Sequence, residues 1–230
     1  MITIFTSCYN QGEYLKEAVE SVLAQTYTDF EYLIYDDGST DNTKDVLREM
    51  MNKGLDSRIK VSFLDKQPNV GAVINKSIED MSGDVWVWLP ADDIFKPHLL
   101  KEKAEWAKFH TMSVLYSNWA IIDKDSKFVR NLILTHISDT KFAEVIFNSC
   151  PVGCTGIWIP KDVFTKVGNF SEDLVCSEDY EWILRAVFNG VPFVHIPEIL
   201  YSKRHHGSRI TVRERTNIPE VVSSIRSMYK

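Results

Sequence analysis

The chain has 230 residues, 44% hydrophobic and 25% charged, which suits one sizeable domain that needs no disulfide framework. A net charge of −6 argues against nucleic acid as a partner, and no apolar run approaches the ~20 residues of a membrane span. The start, Met1-Ile-Thr-Ile-Phe, lacks a signal-peptide pattern, and Cys8, Cys150, Cys154 and Cys176 match no common zinc spacing, so reduced thiols in a cytoplasmic protein are expected. There is no His-Glu-x-x-His, P-loop or Gly-x-Gly-x-x-Gly.

Ile2 to Thr6 reads as a first strand, and Tyr9-Asn10-Gln11-Gly12 as a polar turn. Leu15, Ala18, Val19, Val22 and Leu23 then repeat at helical spacing, predicting a helix from about Glu13 to Gln25. Tyr32 to Tyr35 is a second strand ending in the turn Asp36-Asp37-Gly38-Ser39, with Thr40 or Asp41 capping a helix through about Met51. Ile59 to Leu64 is a third strand, Asn69-Val70-Gly71 a turn, and Val73, Ile74, Ile78 and Met81 mark a helix that Gly83 ends. Trp86 to Leu89 is a short apolar strand running into Pro90-Ala91-Asp92-Asp93.

This alternation predicts right-handed βαβ units and a parallel sheet with helices on both faces. Both acidic pairs then fall on one edge, the carboxyl ends of the strands, where open α/β sheets place ligands. Adjacent carboxylates repel one another, and a Mg²⁺ or Mn²⁺ ion shared with phosphate oxygens relieves that repulsion. A structural alternative makes these acids the cap of a helix starting near Lys96 and Pro97.

Further on, a helix is expected over about Pro97 to Phe109, a strand near Val114 to Tyr116, and a hairpin over Ile121 to Val129. Between Leu132 and Cys154 only Phe142 to Phe147 reads as helical. Pro151-Val-Gly-Cys-Thr-Gly is loop chemistry, and Ile157 to Ile159 a strand. Pro160 leads into a helix over Asp162 to Val167, closed by Gly168. Ser177-Glu178-Asp179 opens a helix with Trp182, Ile183, Ala186 and Val187 inward; acids there also suit the helix dipole. Strands follow at Val191 to Ile196 and Ile199 to Ser202. The basic run Lys203-Arg204-His205-His206-Gly207-Ser208-Arg209, with Arg213 and Arg215 beyond it, reads either as an anion site or as a solvated tail. A last helix is expected over about Asn217 to Tyr229.

In this order and at these spacings the motifs resemble the family 2 inverting glycosyltransferases of the GT-A fold, from Ile2 to about Ser208. The carriers are Ser7-Cys8-Tyr9-Asn10 with Ser21 to Tyr27, Asp36-Asp37-Gly38-Ser39-Thr40-Asp41, Asn69, Gly71 and Asn75, Trp88 to Asp93, Gly168-Asn169-Phe170, and Ser177 to Trp182 with Arg185. The resemblance implies an α/β GT-A fold, a Rossmann-like, mostly parallel sheet flanked by helices with a smaller acceptor-side portion. Its implied limits are 1–215, divided into a nucleotide-sugar part at 1–95 and an acceptor and base part at 96–215, with a C-terminal helix at 216–230.

The implied reaction is inverting, metal-dependent transfer of a hexosyl group from a nucleoside diphosphate sugar, UDP-linked by expectation. The acceptor would be a glycan or lipid-linked, in cell-surface polysaccharide synthesis. By resemblance, Asp179 is the general base. Ser7, Tyr9, Asp36, Asp37 and Asp92 face the nucleotide, Asp37 toward the base and Asp92 toward the ribose. Asp93 and His205 go to a Mn²⁺ or Mg²⁺ ion, and Glu178, Arg204 and His206 to the diphosphate or acceptor, with His205 and His206 interchangeable at this level.

Two departures stand out: Pro90 replaces the first acid of the family's Asp-x-Asp segment, and Lys203 stands where arginine is common. Peripheral contact with the inner membrane face and oligomeric state stay open. The alternatives are a nucleotidyltransferase on a similar sheet, whose Gly-rich basic first loop is missing, and a non-catalytic nucleotide- or glycan-binding subunit.

Overall fold

The computed structural model describes residues 1–207, 209, 212, 214 and 216–229. Ser208, Arg213 and Arg215, which closed the resemblance and the basic run, lie outside the described residues. The first part alternates as β1 (Ile2–Cys8), α1 (Gly12–Leu23), β2 (Phe30–Asp37), α2 (Thr43–Asn52), β3 (Ile59–Leu64), α3 (Val70–Asp80) and β4 (Val85–Trp88). These strands form the parallel half of one sheet in the order β3-β2-β1-β4.

The side chains show why the sheet has helices on both faces. Along β1, Ile2 and Ile4 join one core and Phe5 the other; along β2, Tyr32 and Ile34 oppose Leu33 and Tyr35; along β4, Val87 opposes Trp86 and Trp88. Strands buried on both faces are apolar throughout rather than alternating. One core packs against Leu15, Val19 and Val22 of α1 and Leu47 of α2, the other against Val73 and Ile74 of α3.

The second part holds β5 (Ile94–Phe95), α4 (Leu99–Ala107), β6 (Val114–Ile122), β7 (Phe128–Leu132), α5 (Asp139–Asn148), β8 (Trp158–Pro160), α6 (Lys161–Val167), α7 (Glu178–Phe188), β9 (Phe193–Arg204) and α8 (Ile218–Ser227). The sheet continues as β8-β6-β9-β5, with β7 also on β6. Antiparallel β8 joins the two halves by pairing with β4 and β6, while β6 and β9 run parallel. Ile225 of α8 is fully buried in the same core as α7, and Arg226 donates to Asn148 O and Tyr180 Oη.

Several expectations shift. The strand near Val114 and the first arm of the hairpin are one nine-residue strand, β6, because every residue of it is buried. The two expected strands after Val191 are also one, β9. Its ladder slips between the pairs Ser117–Ile196 and Asn118–Ile199, so that Pro197, which has no N–H to donate, falls in the irregularity. β5 was not anticipated; two residues carry no periodicity. His98, not an acid, is the N-cap residue of α4, which removes the capping alternative for Asp92 and Asp93. Among the described residues no helix is long and apolar enough to cross a membrane.

Candidate active site

β2 continues through Asp37, so the first acidic pair lies in a strand and not in a turn. Successive strand residues point to opposite faces, and this separates the two carboxylates. Asp36 is completely buried; it accepts from Ser39 N at 3.3 Å and lies 3.9 Å from Lys44 Nζ. Asp37 accepts from Lys66 Nζ at 2.5 Å and Gln67 N at 2.7 Å. Gly38 permits this approach: its φ is +69°, and a Cβ there would lie 2.8 Å from Lys66 N. Lys66 Nζ also sits 4.6 Å from the Tyr9 ring centroid. Tyr9, Asp37 and Lys66 thus form one patch at the carboxyl ends of β1 and β2, where Cys8 stands opposite Asp36.

Asp92 and Asp93 follow β4 on the same rim. Asp93 is buried, accepting from Arg204 N at 2.8 Å and Thr155 Oγ1 at 2.5 Å. Burial, then the charge of Asp92, pushes its carboxyl up to about 6. Asp92 Oδ2 lies 2.9 Å from His206 Nε2 and 3.9 Å from Arg209 Nε.

Asp179 enters from the other half. Ser177, with a left-handed φ of 64°, turns the chain so that α7 opens on Glu178 and Asp179. Asp179 Oδ1 accepts from Tyr180 N at 2.7 Å and Oδ2 from Cys154 Sγ at 2.9 Å. Glu178 is 7% exposed; burial, then the neighbouring Asp179, raises its carboxyl to about 8, so it carries a proton at neutral pH.

Among the described residues, a cleft of about 520 Å³ gathers Ser7, Asp92, Asp93, Glu178 and Asp179 with the cations Lys203 and Arg209. A larger hollow of about 1090 Å³ lies around the start of β6 and β9, but among the described residues no acid lines it. Acids from two halves of the chain mark the smaller cleft as the place for chemistry. Tyr9, Asp36 and Asp37 share its sheet edge without lining it.

The three site candidates of the basic run lie in different surroundings. Arg204 is expected at the diphosphate or acceptor, yet its guanidinium is wholly buried. It donates to Asp92 O at 2.8 Å, Ser126 Oγ at 2.7 Å and Glu17 Oε2 at 3.1 Å, and packs 4.7 Å from the Tyr14 ring centroid. His205, the residue just past the end of β9, lies outward. Its side chain is exposed and outside the cleft lining, and its N–H donates to Ile122 O. Though exposed, its ring loses part of its hydration, and this with the nearby charges of Arg209 and Lys203 lowers the His205 pKa. His206, also outside the cleft lining, is the histidine that meets an acid, Asp92, with the Tyr14 ring 4.7 Å away.

The sequence reads the segment before β8 as loop chemistry but singles out none of its residues for the site. Cys154 and Thr155 touch the two acids directly, and Cys150 and Cys176 also line the cleft. The available signal was a donor pair between two glycines, Gly153 and Gly156, just ahead of a strand.

Among the described residues, no group of three or more His, Cys, Asp or Glu is arranged to hold a metal. The donor chemistry nevertheless fits a hard divalent cation. Asp93 and Asp92 are adjacent oxygen donors with surplus negative charge, and Mg²⁺-type ions are commonly held by one or two carboxylates completed by substrate phosphates.

The family model for Glycosyl transferase family 2 matches residues 3–168, and the chain belongs to that family. It is 28% identical over 225 residues to an uncharacterized glycosyltransferase of Rickettsia typhi (strain ATCC VR-144 / Wilmington), covering 92% of this chain and 66% of that protein. It is also 28% identical over 183 residues to the Escherichia coli UDP-Glc:alpha-D-GlcNAc-diphosphoundecaprenol beta-1,3-glucosyltransferase WfgD, covering 78% and 67%. The chain thus spans about two thirds of the length of these relatives. The crystal structure of S. aureus TarS 1-349 in complex with UDP-GlcNAc superposes with a TM-score of 0.74 at 20% identity, over 90% of this chain and 59% of that one. The architecture is a GT-A fold.

Proposed function

We propose that the chain transfers a sugar, with inversion, from a UDP-sugar to a hydroxyl of a glycan or lipid-linked acceptor in cell-surface polysaccharide assembly. The observation that carries this reading is the meeting of Asp92, Asp93 and Asp179 in one cleft at the carboxyl ends of β1 and β4, in a chain of this family. The activity for which WfgD is named supports the UDP donor and the lipid-linked acceptor. Such an acceptor would place the work at the inner face of a membrane.

In this reading Ser7 and the Tyr9–Asp37–Lys66 patch receive the nucleotide, and Asp92 its ribose. Asp93, with Asp92 beside it, would hold Mn²⁺ or Mg²⁺. When bound, that ion neutralises charge on the leaving diphosphate. Lys203 and Arg209 add positive charge to the cleft. Asp179 takes the proton of the acceptor hydroxyl as its oxygen bonds to the anomeric carbon. The bond from that carbon to the diphosphate breaks on the opposite face, and its electron pair leaves with UDP. One displacement inverts the centre and needs no enzyme nucleophile.

The test is release of UDP or GDP from UDP-glucose, UDP-N-acetylglucosamine and GDP-mannose, with Mn²⁺ or with chelator. Turnover of a UDP-sugar that chelator abolishes is expected. Turnover of none of these donors, or only of a nucleoside triphosphate with release of pyrophosphate, would overturn the reading.

A further inference from the structure

One short loop touches both of the acids that come from opposite halves of the chain. Cys154 Sγ donates to Asp179 Oδ2 at 2.9 Å, and the next residue, Thr155, donates through Oγ1 to Asp93 Oδ2 at 2.5 Å. The residue after that is anchored at both of its backbone groups. Gly156 N donates to Trp88 O at 2.6 Å, and Gly156 O accepts from Lys103 Nζ at 2.5 Å. Lys103 is completely buried and donates a second bond to Leu115 O at 3.1 Å. Gly156 has a φ of +68°, and a Cβ there would come within 2.9 Å of Leu99 Cδ1, so the anchor accepts only glycine without displacement.

The chemistry of the two donors suits holding rather than reacting. Burial, then the charge of Asp179, keeps the Cys154 thiol well above its ordinary pKa, so it stays an S–H donor and is a poor nucleophile. Thr155 is buried and offers a single O–H. With Oδ1 on Tyr180 N and Oδ2 on Cys154, the Asp179 carboxyl plane is set, and unused lone pairs remain for an incoming hydroxyl.

We infer that Cys154 and Thr155 are positioning residues that hold the base and the diphosphate-side acid at one separation across the cleft. The inference rests on the sugar-transfer reading above. Misplacement of a reacting group by about 1 Å can cost ~10²-fold in rate, so a bridge of this kind has a kinetic consequence. Adjacent residues of one loop then have different signatures: Cys154 acts on the chemical step, Thr155 on the nucleotide side.

The test compares Cys154→Ala, Cys154→Ser, Thr155→Val and Thr155→Ser in the full chain. UDP release from UDP-glucose and UDP-N-acetylglucosamine with Mn²⁺ gives kcat and KM, and calorimetry gives UDP binding with and without Mn²⁺. Cys154→Ala is expected to lose about tenfold or more in kcat with donor KM within about twofold, and Cys154→Ser to recover most of it. Thr155→Val is expected to weaken Mn²⁺-dependent UDP binding about tenfold, and Thr155→Ser to restore it. Wild-type behaviour of Cys154→Ala or of Thr155→Val overturns the inference and leaves the sugar-transfer reading standing. So does an identical loss in kcat and KM from both, the mark of a generally loosened loop. If the unaltered chain releases no UDP from either donor, the reading falls and the inference with it.

Discussion

Asp93 Oδ1 accepts the backbone N–H of Arg204 at 2.8 Å, which joins the segment after β4 to the last residue of β9. The two-residue strand β5 makes this possible by pairing with Tyr201 and Ser202 of β9. The same Arg204 returns from its side chain to Asp92 O. The acidic segment is therefore held by another strand from both its side-chain and backbone oxygens, and its carboxylates are set before any ligand arrives. Such preorganisation is what charge stabilisation at a leaving group requires.

Replacing Asp93 by Asn keeps the shape of the group and removes its charge. Mn²⁺-dependent binding of UDP is expected to fall by at least about tenfold, the lower end of what even indirect changes around metal sites cost. Calorimetry with UDP in Mn²⁺ and in chelator measures it. Equal affinities for the variant and the unaltered chain under both conditions would remove Asp93 from the cation.

Asp179→Asn leaves the helix start and the contact with Tyr180 N in place, but removes the proton acceptor. Turnover is expected to drop roughly 10²–10⁴-fold. UDP binding should be unchanged, because the donor-side residues are untouched. Full turnover by the variant would mean that another group takes the acceptor proton.

How much of this was legible in the sequence depends on the distance over which the signal acts. The βαβ alternation through β4 reads directly from apolar runs and from the 3.6-residue spacing of Leu15, Val19 and Val22, since each is a local response to a face being buried. β6 was read as two pieces because polar Ser117 and Asn118 interrupt its apolar pattern, although both are buried in the middle of the sheet. The expectation was that Asp37, Asp93 and Asp179 meet at one rim; Asp93 and Asp179 line one cleft, while Asp37 sits on the same sheet edge outside its lining. The inward turn of Arg204 and the reach of Cys154 to Asp179 were not legible. Each depends on strand alternation or loop closure between segments far apart in the chain, which composition and spacing do not encode.

Arg204→Ala is expected to act on stability. It leaves Asp92 O and Ser126 Oγ without their donor and empties a wholly buried site, for a loss of about 3 kcal/mol. Glu17, its ion-pair partner, has a side chain 45% exposed and can turn to water, which keeps the loss toward the lower end for a broken buried pair. Arg204→Lys keeps the charge without the planar fork and should lose part of the same stability. Urea unfolding reads both. An unchanged midpoint together with a raised donor KM would instead return Arg204 to the diphosphate.

Glu178→Gln tests the buried acid beside the base through pH. The folded-state pKa of Glu178, about 8, lies above the ordinary 4.5. The stabilisation that comes from keeping this carboxyl neutral is therefore fully present below about pH 4.5 and is lost as pH rises through 8. Glutamine holds the neutral shape at every pH. The variant should melt with the unaltered chain near pH 4.5, and its advantage should grow until about pH 8 and then level off. At 7% exposure little solvent screens the group, so a difference of at least about 3 °C is expected at pH 9, where ~1 kcal/mol corresponds to 2–4 °C in a domain of this size. Scanning calorimetry at pH 5, 7 and 9 follows the divergence. A constant offset between the two melting curves across that range would mean that Glu178 is ionised throughout and that Asp179 has a charged neighbour.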